Sequence, residues 1–197
     1  MPALRHILHR LLVAIGMLML LQQASLAQSS PDRISLTQQP GSYVLTVPAS
    51  RLSLAVPSDR LVQGNPRAGG ATNNPRYFFF SDEARGLVIS GWFEPASQFP
   101  GADSAWQADL AASKKNGLPP PTDVSSGKVN DWAVVFYEQQ LPGISNSHVR
   151  AHYVRAGTWI DVHISVTTLG AGNSNRETVT AVLNSLAVSE KKSQATP

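Results

Sequence analysis

The chain has 197 residues, with 16 Lys and Arg against 13 Asp and Glu, and no cysteine. Without cysteine there are no disulfide staples, no thiolate-held zinc or iron–sulfur centre and no thiol nucleophile. The formal net charge of +3 falls to a single charge once Arg5 and Arg10, which lie in a leader-like segment, are set aside, so no basic surface for nucleic acid is expected.

Residues 1–27 read as a secretory signal peptide. Arg5, His6, His9 and Arg10 make its basic region, Leu11 to Leu21 its apolar run, and Ser25-Leu26-Ala27 the small-residue cleavage box, so cleavage before Gln28 is expected. An apolar run of about 11 residues is too short to span a bilayer, which needs about 20, so no stable membrane span is expected after cleavage. A lipid anchor on cysteine is excluded, and the expected location is periplasmic or secreted. Residues 28–42 are polar and contain Pro31 and Pro40, which reads as a flexible N-terminal arm.

Short β-type runs follow at 43–47 and 51–56; in the second, Leu52, Leu54 and Val56 alternate with Arg51, Ser53 and Ala55 in the period of a half-buried strand. Residues 57–75 turn rich in Gly, Pro, Asn and Arg and read as a long loop. It lacks the Gly-Lys-Ser/Thr of a phosphate cradle. Residues 76–81 and 86–94 form a predicted hairpin, with Leu87, Ile89 and Phe93 on one face and Val88, Ser90 and Trp92 on the other, so both faces of the sheet need cover here.

The first predicted helix spans 103–116. Asp103 is its expected cap, Trp106 and Leu110 share a face, Lys114 and Lys115 suit the negative end of the dipole, and Gly117 with three prolines ends it. Four more strands are predicted at 123–129, 132–139, 147–155 and 158–168. Ser174-Asn175-Arg176-Glu177 then reads as a capping box, ahead of a Val179, Val182, Leu183, Leu186 stripe. Residues 189–197 read as a disordered tail. The expected domain is therefore 43–188, a single α+β fold with a mostly antiparallel sheet and helices packed on it.

Ala156-Gly157 is a two-residue hairpin turn that sets a register: His152 opposite Asp161, Arg150 opposite His163, His148 opposite Ser165. One face of that hairpin is then aliphatic. The other gathers His148, Arg150, His152, Asp161, His163 and Ser165. A metal-binding protein or metal-dependent hydrolase would use His152, Asp161 and His163 on a zinc ion, with a further ligand such as Glu138, although Arg150 opposes the ion. A serine hydrolase would need Ser165 beside both a base and its orienting carboxylate, and the register separates them. The plainer expectation is a cross-strand bond between His152 and Asp161, with Tyr137 and Trp159 as packing residues.

The strands at 86–94 (GLVISGWFE), 132–138 (WAVVFYE) and 157–163 (GTWIDVH), the helix around Trp106 and the closing amphipathic helix resemble the Mog1/PsbP-type α/β/α sandwich over residues 43–188. That resemblance implies an adaptor or binding role rather than catalysis. It assigns no site residues. The expected function is thus an exported, non-catalytic binding or interaction module of the cell envelope with no cofactor, offering His148, Arg150, His152, Asp161 and His163 to an envelope protein or small ligand. The metal site with zinc is the alternative.

Overall fold

Apolar and polar residues alternate along most of this chain, and the computed structural model turns that alternation into antiparallel β-sheet. It describes residues 33–64, 75–170 and 174–191. The expected signal peptide at 1–27, residues 65–74 of the long loop and residues 192–197 lie outside the described residues.

The strands are β1 (Ser35–Gln39), β2 (Ser42–Thr46), β3 (Leu52–Pro57), β4 (Val62–Gln63), β5 (Tyr77–Asp82), β6 (Leu87–Pro95), β7 (Thr122–Val129), β8 (Trp132–Leu141), β9 (Ile144–Arg155), β10 (Thr158–Leu169) and β11 (Ala187–Glu190). Helix α1 (Ala102–Lys115) lies between β6 and β7, and α2 (Arg176–Ser185) between β10 and β11. Two sheets result. The larger runs β4-β5-β6-β10-β9-β8-β7 and the smaller β1-β2-β3-β11. All described pairings are antiparallel, so the fold is α+β and mostly antiparallel.

Because side chains alternate along a strand, the larger sheet has two chemically different faces. Its inner face supplies Phe78, Phe80, Ile89, Phe93, Val149, Ala151, Val162 and Ile164 to one core, closed by Leu45, Leu52, Leu54 and Val56 of the smaller sheet and by Val179 and Leu183 of α2. Its outer face carries Tyr137, His148, Arg150, His152, Asp161 and His163. α1 lies against this outer face, Trp106 against Tyr137 and Asp109 against Arg150.

Five expectations change. Residues 35–39 of the expected arm form β1, joined to β2 through Pro40 and Gly41; ladder hydrogen bonds and Leu36 against the core hold a strand too polar to announce itself. Within the long loop, Leu61 is buried and Val62–Gln63 pairs with β5. Ser189 and Glu190 of the expected tail complete β11, which pairs with β3. Asp103 lies in the first turn of α1, and Gly101, at the cap position, supplies no side-chain bond. The capping box does not form either: Asn175 stands at the cap of α2, and the Ser174 hydroxyl donates to Glu138 instead.

Candidate functional site

The β9–β10 turn places Ala156 at φ 49° and Gly157 at φ 76°. Two successive left-handed residues make the tight turn whose twist matches a hairpin, and the register is the one that turn implies: His152 opposite Asp161, Arg150 opposite His163, His148 opposite Ser165. On the far side of β10, Trp92 of β6 stands opposite Asp161. On the far side of β9, Tyr137 of β8 stands opposite His148. The polar residues therefore sit in the middle of a seven-stranded sheet, with aromatic neighbours to both sides.

Arg150 organises this face. Its Nε donates to Asp109 Oδ2 at 2.6 Å and its Nη2 to Asp109 Oδ1 at 2.9 Å, a two-pronged bond to α1. The same Nη2 lies 3.8 Å from Asp161 Oδ2, and the guanidinium sits 5.6 Å from the centre of the Trp92 ring. Burial disfavours the guanidinium charge, but Asp161 and then Asp109 outweigh it and hold its pKa above the ordinary arginine value.

On one side of Arg150 lies a stack. The Tyr137 and His148 rings are nearly parallel with centres 4.5 Å apart, and His148 Nδ1 meets His163 Nε2 at 3.0 Å. The Tyr137 hydroxyl also reaches His163 Nε2, at 3.4 Å. Burial, reinforced by Arg150, pushes His148 down to about 4. Burial, Arg150 and His148 together hold His163 well below the usual imidazole range. Both rings are thus neutral near pH 7. Burial also raises Tyr137 to about 12, with Arg150 working against it and Asp109 with it, so its hydroxyl keeps its proton.

On the other side of Arg150, His152 and Asp161 are 2% and 1% exposed. They are the expected cross-strand neighbours, with His152 Nδ1 3.3 Å from Asp161 Oδ1. The indole Nε1–H of Trp159 can only donate, and the atom it reaches is His152 Nδ1, at 3.3 Å. Asp161 Oδ1 has no hydrogen-bond partner among the described residues. Phe99 closes this end, 5.5 Å from the His152 ring and 5.2 Å from that of Trp159.

The candidate residues are therefore brought onto one face but divided by Arg150. His163 turns to His148, away from the His152 and Asp161 pair with which it would share a zinc ion. Glu138 lies on the opposite face of the sheet, its carboxylate accepting from Ser147 at 2.7 Å and Ser174 at 2.8 Å. Among the described residues, no three His, Asp or Glu side chains converge as metal ligands. Ser165 stands across from His148, yet that imidazole bonds His163, so no nucleophile and base are joined. The residue the sequence reading missed is Asp109. It sits three positions after Trp106 on the same helix face, and that spacing was the available signal. Neither a known protein family nor a curated protein matches the chain.

Proposed function

We propose that this chain is an exported, non-catalytic binding or interaction module of the cell envelope, built as a Mog1/PsbP-like α/β/α sandwich, which meets an envelope protein or small ligand across α1 and the outer sheet face. The observation that carries this reading is that the polar face is committed internally. Arg150 is held by carboxylates from two elements, and the imidazoles of His148 and His163 bond to each other, so the described ionisable groups of this face are paired among themselves. The layering of α1 and α2 on opposite faces of the larger sheet favours the sandwich; the smaller sheet, sharing the inner side with α2, is an addition to it. Export rests on the leader residues at 1–27. Among the described residues no helix is long and apolar enough to cross a membrane.

His148, His152 and Asp161 are buried, so a partner meets the exposed residues of α1 first, among them Gln107 and Ala111. The test is site-specific photocrosslinking in the native envelope. A photoreactive residue at Gln107 or Ala111 is expected to give one adduct of discrete mass, and the same residue at Thr37 on β1 none. Equal labelling at all three positions would remove the reading. Elemental analysis of protein purified without chelator or polyhistidine tag runs beside it, and one bound metal per chain would favour the zinc alternative.

A further inference from the structure

Three side-chain atoms among the described residues are buried without a hydrogen-bond partner: Asn146 Oδ1, His148 Nε2 and Asp161 Oδ1. All three belong to the outer face of the larger sheet, since Asn146 and His148 alternate with the inner-facing Ser147 and Val149, and Asp161 faces His152 across the register. None of the three receives a donor or acceptor from the described residues, and a buried polar atom without one is costly. The closed arrangement is therefore costly on the side of the sheet that α1 covers.

α1 brings little to offset that cost. Ala102, Ala105, Trp106, Asp109, Leu110 and Ser113 turn toward the sheet at helical spacing, yet no residue of α1 is buried. Besides that partial packing, it is attached by the Asp109 bond to Arg150 and the ring contact of Trp106 with Tyr137, centres 4.9 Å apart. The chain is anchored just outside the helix at both ends. Phe99 packs on His152 and Trp159 before it, and Gln139 Nε2 donates to the Pro119 carbonyl at 3.1 Å after it. Between each anchor and the helix sits one glycine in the left-handed region, Gly101 at φ 94° and Gly117 at φ 73°, and neither has any atom within 4 Å of where a Cβ would be. Open space surrounds both positions, and a residue without a Cβ reaches φ of either sign at little cost, which suits them to a hinge.

We infer that α1 is a strap that lifts from the sheet as a unit, hinged at Gly101 and Gly117, and wets the Tyr137, His148 and His163 stack while both sheets stay folded. Water then reaches Asn146 Oδ1 and His148 Nε2, and the ion pair of Arg150 with Asp109 is the bond broken in opening. His152 stays covered, because Phe99 lies on the fixed side of the hinge. Segments with few buried apolar contacts open at lower free energy than the core, which is the behaviour assigned to α1.

Hydrogen exchange of the full chain, read by mass spectrometry with and without sub-denaturing guanidinium, tests the strap. Diethyl pyrocarbonate, which acylates neutral imidazole, reports the exposed rings in parallel. Amides of α1 are expected to exchange faster than those of β9 and β10, with little dependence on denaturant. His148 and His163 are expected to be acylated in native buffer and His152 only on global unfolding. Asp109→Ala, at a half-buried helix position, is expected to speed α1 exchange and His148 acylation by the same factor, about ten- to a hundredfold for the loss of a charge-assisted bond, and to leave β9 and β10 unchanged. The strap is refuted if α1 exchanges only together with the sheet, if His148 and His152 react at one rate, or if Asp109→Ala slows neither and speeds neither.

Discussion

Replacing His148 by Phe tests whether the outer face holds its imidazoles neutral by burial. Phe keeps the ring that stacks on Tyr137 at 4.5 Å and removes both the titrating nitrogens and the unpartnered Nε2. It also removes the 3.0 Å bond to His163, worth about 1 kcal/mol, which the loss of a buried unsatisfied atom offsets. Near pH 7.5 the variant is therefore expected within about 1 kcal/mol of the parent. Lowering the imidazole from 6.5 to about 4 corresponds to about 3 kcal/mol between neutral and charged forms. Since the folded state binds the proton more weakly, the unfolded chain takes up more protons between pH 6.5 and 4. Stability is full above that window and falls as pH falls through it.

At pH 5 the His148 contribution to that loss is about 2 kcal/mol, and the variant does not carry it. Guanidinium unfolding followed by tryptophan fluorescence at pH 7.5 and 5.0 measures the difference directly, with carboxylate contributions common to both proteins cancelling. The parent is expected to lose about 2 kcal/mol more than His148→Phe over that interval. Equal losses in the two proteins, or a His148 titration near 6.5 by NMR in the folded parent, would refute the reasoning.

Two substitutions test the backbone that presents this face. Gly91 packs where β6 approaches β10, and a Cβ there would overlap the Asp161 carbonyl oxygen and the Phe78 ring, so Gly91→Ala is expected to cost about 3 kcal/mol or more in chemical unfolding; a change below 1 kcal/mol would mean the strands can separate freely. Ala156, at φ 49° in the β9–β10 turn, pays a left-handed penalty that Asn tolerates, so Ala156→Asn is expected to raise Tm by about 2 °C, and a fall would show that its packing on the core outweighs its backbone strain.

The hairpin register was legible in the sequence because Gly157 marks the turn and the aliphatic residues on one side of it admit no slip by one residue. The division of the face was not. A register says which residues are opposite, not which way a ring turns, and His163, opposite Arg150, turns diagonally to His148. Glu138 was misplaced by parity: Tyr137 faces His148, so the residue after it must face the other way. Asp109 lies 41 residues before Arg150, and only the packing of α1 joins them. β1 and β11 escaped notice because Ser35–Gln39 and Ala187–Glu190 are short and polar, held by ladder bonds to β2 and β3 rather than by a hydrophobic pattern of their own.

A sheet with alternating residues could have met α1 with aliphatics, and well-packed apolar residues often match a buried ionic cluster in stability. Charges removed from water recover that cost only with good geometry, and here Asp161 Oδ1 is left unbonded while Asp161 Oδ2 lies 3.8 Å from its guanidinium. Asp161→Ala alone leaves Arg150 under-neutralised and is expected to cost about 3 to 5 kcal/mol. The triple replacement Asp109→Leu, Arg150→Met and Asp161→Leu leaves no charge behind and is expected to come within about 1 kcal/mol of the parent or to exceed it. Denaturation of single and triple variants separates two causes. If the triple variant is as unstable as the single, the triad is a structural joint between α1 and the sheet. If it is stable but gives no photocrosslink from α1, the charges serve what α1 does when it meets or releases a partner, and the unsatisfied oxygen of Asp161 is the cost of keeping that contact reversible.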